Sequence, residues 1–205
     1  MDVDAVTIDA YGTLVQLRDP VPALRDALAA RGVARSDDVV RAAFAAEVAY
    51  YVPRSHEGRD TASLAALRRA CTRVFLDAAD AGSLAPDEFP FVASLAFDLV
   101  PGGREACDDL SRAGLRLCVV SNWDIGLTEH LQGLGVDLPV VTSAEAGAAK
   151  PDPAVFELAL QRLGVVDPAR AVHVGDDAAD EAGALAVGMR FEPAPLAEAA
   201  QRILA

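Results

Sequence analysis

The sequence predicts a doubly wound α/β fold: a parallel sheet covered by helices, with a helical module inserted after the first strand. Three observations lead there. Four short, almost uniformly apolar runs stand out, three of them ending on polar residues. Helical stretches alternate with the later runs. The first run is separated from the second by about a hundred residues, where a crossover needs a few tens at most.

The runs are Val3–Ile8 before Asp9, Leu115–Val120 before Ser121, Leu138–Val141 before Thr142 and Ala171–Val174 before Gly175, with a weaker fifth at Met189–Phe191. Near-continuous hydrophobicity over so few residues is the pattern of a parallel strand buried on both faces. Between the later runs, Gly103–Ala113, Ile125–Leu134, Pro153–Leu163 and Asp180–Val187 read as amphipathic helices. Strands alternating with helices imply right-handed crossovers, and ligands in such sheets bind beyond the carboxyl ends of the strands. Asp9, Ser121 and Asp176 fall at or just past those ends.

The long gap is too long for a loop and reads as a helical module over 16–99, leaving 1–15 and 100–205 as the core. Val40, Phe44, Val48 and Tyr51 recur at helical spacing after an N-cap at Ser36, with Asp37 and Asp38 in the first turn. A longer helix runs from Asp60 to about Ala79, with Leu64, Leu67, Cys71, Val74 and Phe75 on one side. Pro53 and Gly58 punctuate the segment VPRSHEGR between them as a loop.

A chain of 205 residues that is 52% hydrophobic and 24% charged can bury a full core. No apolar run reaches the length of a membrane span, and the N-terminus reads as a buried strand rather than a signal peptide. Cys71, Cys107 and Cys118 have neither paired nor metal-type spacing, which fits packing in a reducing cytoplasm. The net charge of −13 serves solubility and argues against a nucleic-acid partner. A small anionic substrate is compatible with it where local cations or a metal offset the charge. Monomer and homodimer both stay open.

Four places carry chemistry. Asp9 ends the first run, before a Gly-containing turn in IDAYGTL whose backbone amides can hold an anion; taken alone, an Asp there is equally a turn former. Ser121-Asn122 brings a hydroxyl and an amide to the second strand end, and Trp123 follows at the mouth of the site. Lys150 precedes Pro151 and a helix. Asp176, Asp177 and Asp180 crowd the end of another strand in HVGDDAADEAGA. An acidic helix N-terminus explains Asp180 but not the whole row. Three carboxylates so close repel unless a cation or lysine neutralises them, and their oxygens are the hard ligands that magnesium prefers. His173, inside a buried run, reads as a hydrogen-bonded core residue, and His130 as a helix-surface residue.

In this order the segments resemble the four motifs of the haloacid dehalogenase superfamily: Asp9-Ala10-Tyr11-Gly12-Thr13, then Ser121, then Lys150 in KPDPAVFELAL, then Gly175-Asp176-Asp177 with Asp180, continued by Gly183–Met189. The resemblance spans about 120 residues of core, and the insert sits where that family carries a helical cap on its Rossmann-like core. It implies that Asp9 attacks an electrophilic centre to give a covalent intermediate that water hydrolyses. Ser121 would hold a substrate oxygen, with Gly12, Thr13, Asn122 and Trp123 around the substrate, while Lys150 neutralises Asp9 and the developing charge. Mg²⁺ would lie between Asp9, Asp176 and the Tyr11 carbonyl, supported by Asp180.

One departure divides the readings. The family's phosphatases carry an Asp two residues after the nucleophile, as acid to the leaving group; here that position is Tyr11, whose phenol, with pKa near 10, is a poor base. The string DAYGTL is similar to the 2-haloacid dehalogenases, which expel halide without a proton and work without metal. The acidic fourth motif is instead phosphatase-like, and its acids repel one another unless they bind a cation. The expected activity is therefore Mg²⁺-dependent hydrolysis of a small phosphorylated metabolite. A 2-haloacid dehalogenase is the alternative, and a catalytically weak binding protein a third. In the insert, Arg41, Tyr50, Tyr51, Arg54 and His56 are candidates for substrate selection, each with an ordinary reading as helix surface, core or loop.

Overall fold

The computed structural model describes residues 3–205, so the first two residues of the 1–15 segment lie outside the described residues. The chain divides into two compact units, one made of the residues up to Gln16 with Asp98–Ala205, the other of Leu17–Phe97.

The first unit is built on five parallel strands. β1 (Ala5–Ile8) leads into β2 (Val15–Leu17), which pairs with β3 (Phe97–Leu99) in a two-stranded ribbon where the chain passes between the units. The helices of the second unit intervene: α1 (Val21–Ala29), α2 (Asp37–Tyr51) and α3 (Thr61–Ala78). After β3 come α4 (Gly103–Arg112), β4 (Arg116–Ser121), α5 (Leu127–Gly133), β5 (Val140–Thr142), the single turn α6 (Ser143–Ala146) and α7 (Pro153–Leu163). The unit closes with β6 (Ala171–Gly175), α8 (Ala178–Ala186), β7 (Arg190–Pro193) and α9 (Leu196–Leu204). The main sheet has the order β5-β4-β1-β6-β7. Chain order runs outward from β1 on one side through β4 and β5, then returns to the other side as β6 and β7. β1 is thus the switch point at which α/β sheets open a ligand crevice.

Side chains alternate between the faces of a strand. Ala5, Cys118, Val120 and Ala171 point into one core with Val155, Phe156, Ala159 and Leu160 of α7 and Ala184 of α8. Val6, Ile8, Val119 and Val174 point to the other face and are equally buried. Burial on both sides explains why the runs read as continuous rather than alternating. All three cysteines are buried thiols. Burial pushes the Cys107 thiol up to about 11 and Cys118 up to about 12, so neither is a nucleophile at neutral pH.

In the second unit, Leu24, Leu28, Val40, Ala43, Phe75, Leu76, Phe89 and Phe91 make a separate core, with the Phe75 and Phe91 rings 5.0 Å apart. Ser36 caps α2, its hydroxyl accepting from Val39 N. Asp60 stands outside α3 as its cap, in a reciprocal box with Ser63. Two expectations are corrected. Residues 52–57 form a 3₁₀ helix instead of a loop, since Pro53 lies in its first turn, where a missing N–H costs nothing. The buried stripe of α2 is Val40, Ala43 and Glu47, not the Val48 face, and Val48 is exposed. Among the described residues no helix is long and apolar enough to cross a membrane.

Candidate functional site

The site belongs to the first unit. Ile8 registers with Val119 of β4 and Val174 of β6, and the next amide, Asp9 N–H, donates to the Val174 carbonyl at 2.8 Å. This pins Asp9 at the carboxyl end of the central strand. The chain then turns back sharply: Leu14 N and Val15 N both donate to the Ala10 carbonyl, at 2.9 and 2.8 Å. Gly12 makes the turn with a left-handed φ of +88°.

Asp9 is only 5% exposed. Its Oδ1 accepts from Ser121 Oγ at 3.2 Å and from Lys150 Nζ at 2.5 Å. The same ammonium donates to Asp180 Oδ1 at 2.5 Å and to the Val120 carbonyl at 3.3 Å, which uses all three of its donors. Lys150 is delivered from a loop clamped by Asn122: Lys150 N donates to Asn122 Oδ1 at 2.7 Å, and Asn122 Nδ2 donates to the Lys150 carbonyl at 3.2 Å. Asn122, expected at the substrate, thus spends its carbonyl and one amide proton on the lysine's backbone.

The acidic side is held by close approaches to glycine. A Cβ at Gly12 would lie 2.1 Å from Asp176 Oδ2, and one at Gly175 would lie 2.4 Å from the Asp180 carboxyl carbon. Only glycine fits either place. Asp180 is fully buried while Asp176 is exposed. Asp177 turns away to cap α8, its Oδ1 accepting from Ala179 N at 2.7 Å and Asp180 N at 3.0 Å; in this residue, dipole capping explains the acid fully.

Charge balance follows from this geometry. Burial pushes the Asp9 carboxyl up to about 6, against the pull of Lys150 and with repulsion from Asp180 and Asp176 added. Burial also raises Asp176, helped by Asp180 and Asp177. Asp180 moves the other way: burial opposes its ionisation, but hydrogen bonding to His173 and the charge of Lys150 hold it below the usual carboxylate range. For Lys150 burial again works against charge, and the two flanking carboxylates outweigh it, so it stays an ammonium. One ammonium faces three carboxylates. Carboxylate oxygens of Asp9, Asp176 and Asp180 lie within 4.8 Å of one another. That set of hard, negatively charged donors fits a small divalent cation such as Mg²⁺.

Other expected residues land differently. Tyr11 is 53% exposed. Thr13 is fully buried, and its hydroxyl has no hydrogen-bond partner among the described residues. Trp123, expected at the mouth, is buried, with its ring 6.3 Å from that of a half-buried His130. Its carbonyl accepts from Ser143 Oγ at 3.2 Å, so it packs the β4–α6 junction. In the second unit Arg41 is exposed and paired at 3.8 Å with Asp19, and Arg54 stacks over the Tyr50 ring at 4.2 Å. Tyr51 and His56 are half-buried. His173 is buried and hydrogen-bonded as expected, but one partner is Asp180 itself, at 2.9 Å. Sequence reasoning missed Thr7, the other partner, and Asp124, whose Oδ1 accepts from Gly126 N at 2.7 Å. The signals were present: a hydroxyl inside an apolar strand two residues from Asp9, and an Asp-x-Gly turn.

A family model for haloacid dehalogenase-like hydrolases matches residues 3–188. The chain belongs to that family. A haloacid dehalogenase-like hydrolase domain-containing protein 3 from Xenopus laevis is 46% identical over 95 residues, 44% of this chain and 38% of that protein. A ribulose-1,5-bisphosphate 5-phosphatase from Halopiger xanaduensis is 36% identical over 117 residues, 50% of this chain and 46% of that protein. The matched stretch is therefore less than half the length of either relative. Among solved structures, a 2-haloacid dehalogenase from Pseudomonas syringae pv. Tomato has a TM-score of 0.64 at 23% identity, covering 99% of this chain and all of that one. That likeness establishes the haloacid dehalogenase-like fold and nothing finer.

Proposed function

We propose that this chain is a Mg²⁺-dependent phosphohydrolase acting on a small phosphorylated metabolite, with Asp9 as the covalent nucleophile. The observation that carries the reading is the convergence of Asp9, Asp176 and Asp180 oxygens within 4.8 Å around a single lysine. A dehalogenase acting without metal has no use for that excess of negative charge. The phosphatase similar to this chain over half its length supports the same reading.

Lys150 and Ser121 converge on Asp9 Oδ1, so Oδ2 is the oxygen assigned to attack on phosphorus. The O–P bond forms as the ester O–P bond breaks, and the leaving oxygen takes its proton from solvent. Water then attacks the phosphorus of the aspartyl phosphate, releasing phosphate and regenerating the carboxylate. Ser121 orients a phosphoryl oxygen, and Lys150 stabilises charge accumulating there. Asp9, Asp176 and the Tyr11 carbonyl would hold the Mg²⁺, with Asp180 behind them; when bound it supplies positive charge that offsets the carboxylates and the phosphoryl group. The helical unit 17–97 would serve as the cap. With Tyr11 where an acid–base carboxylate would stand, phosphoesters with good leaving groups react fastest.

Tyr11 also favours a second reading, a 2-haloacid dehalogenase that forms a carbon ester at Asp9. One experiment separates the two. Hydrolysis of a phosphate-ester panel and chloride release from 2-chloropropionate are measured with Mg²⁺ and with EDTA. Phosphate release that requires Mg²⁺ supports the proposal. Chloride release insensitive to EDTA, without phosphatase activity, refutes it.

A further inference from the structure

Beneath the carboxylates, β1 and β6 carry a buried polar pair. Thr7 and His173 are register partners in adjacent strands, both fully buried. The Thr7 hydroxyl lies 2.8 Å from His173 Nδ1, and His173 Nε2 lies 2.9 Å from Asp180 Oδ1. Phe156 meets the imidazole edge-on, with centroids 5.0 Å apart and planes at 88°, which fixes the ring's plane.

The hydrogen-bonding roles follow from chemistry. An ionised carboxylate only accepts, so Nε2 must carry the proton facing Asp180. The Thr7 hydroxyl bonds Nδ1 on the opposite edge of the ring, so the imidazole is held at both nitrogens with its Nε2 proton aimed at Asp180. Lys150 donates to the same Asp180 oxygen from the other side, at 2.5 Å.

We propose that His173, braced at Nδ1 by Thr7, is a positioning residue that holds Asp180, and through it the Lys150 ammonium, against Asp9. The inference rests on reading Asp9 as the nucleophile of a phosphohydrolase. A lysine is a point charge on a flexible four-carbon stem, and three hydrogen bonds locate it here. One of them is only as fixed as the Asp180 carboxylate, which sits in α8 and not in the sheet. The Thr7–His173 strut ties that carboxylate to the strand bearing the nucleophile. Residues that hold a functional group from behind in this way are typically worth about 10–100-fold. An ordinary core histidine would matter through its shape and stability alone; a strut matters through its Nε2 donor.

The test compares wild type, His173→Phe, His173→Gln and Thr7→Val. Steady-state hydrolysis of p-nitrophenyl phosphate with Mg²⁺ is read beside thermal stability and the ¹⁵N spectrum of the three histidines, with His173 assigned from its loss in the Gln variant. His173→Phe keeps a ring against Phe156 but no donor, and its kcat should fall about 10–100-fold with KM little changed. His173→Gln restores a donor near the Nε2 position and should recover much of that loss even where its stability is the lower of the two. The wild-type spectrum should show Nε2 protonated, and Thr7→Val, which leaves Nδ1 without its brace, should lower kcat in the same direction. A folded His173→Phe with unchanged kcat, or a Gln variant as slow as the Phe variant, overturns the proposal. So does a wild-type ring whose Nε2 carries no proton. If His173→Phe does not fold, Thr7→Val and the spectrum decide the matter. If the wild type hydrolyses no phosphate ester, the phosphohydrolase reading fails, and the Nε2 protonation seen by NMR still supports or overturns the strut by itself.

Discussion

Glu47 should make this protein's stability fall as pH rises through neutrality. The residue lies on the buried stripe of α2 and is only 6% exposed. Burial pushes its carboxyl from 4.5 up to about 7, and the hydrogen bond from Cys71 opposes this without cancelling it. The native state therefore holds a proton that the unfolded chain has already lost. Stability from this source is fully present below about pH 4.5 and disappears as pH rises through about 7. At ~1.4 kcal/mol per pH unit, the shift from 4.5 to about 7 makes the difference at most about 3.5 kcal/mol. Glu47→Gln keeps the size and an acceptor for Cys71 but never ionises. Urea denaturation from about pH 4 to about pH 8 should show the two proteins alike at the acid end and the variant more stable at the alkaline end. A constant difference across that range, or a variant less stable at high pH, would refute the burial argument.

Three further outcomes follow from the site. In EDTA, Asp9→Asn should stabilise the protein by a margin that grows as pH rises, because burial raises the Asp9 carboxyl to about 6 and an amide has no charge to bury; denaturation curves at several pH values check this. Gly12→Ala should weaken Mg²⁺ binding by calorimetry and destabilise the fold by at least about 1–2 kcal/mol, since the new Cβ meets Asp176 Oδ2 at 2.1 Å and φ is +88°. Tyr11→Asp should raise alkyl phosphate hydrolysis by about 10²–10⁴-fold and p-nitrophenyl phosphate hydrolysis by less; equal gains on both would show that proton transfer to the leaving group is not what Tyr11 lacks.

The strand ends are legible because burial on both faces makes each β-run continuously apolar, and the first polar residue after it marks the ligand edge. Asp9, Ser121 and Gly175-Asp176 are all found that way, and Ser36 and Asp60 mark helix starts through their capping chemistry. Inward-facing residues are harder to read. Hydropathy favours the Val48 stripe of α2, yet the helix buries Glu47 beside Ala43, and a polar residue on a buried face is invisible to periodicity. Asn122 and Trp123 follow Ser121 directly, but adjacency says nothing about rotamers. One clamps the Lys150 backbone, and the other packs inward near His130. The Thr7–His173 contact escapes a linear reading because the two residues are 166 positions apart and meet only through strand register, and the first turn of α8 then brings Asp180 back onto His173.

Attack of Asp9 on phosphorus would leave an aspartyl phosphate that acid can trap. Wild type turning over p-nitrophenyl phosphate with Mg²⁺ is quenched in acid within the first turnover, digested, and its peptides weighed. The expected result is one phosphoryl group on the peptide containing Asp9, absent from Asp9→Asn and from the EDTA control. Phosphate release with no adduct on that peptide, or an adduct formed only from 2-chloropropionate, would contradict it.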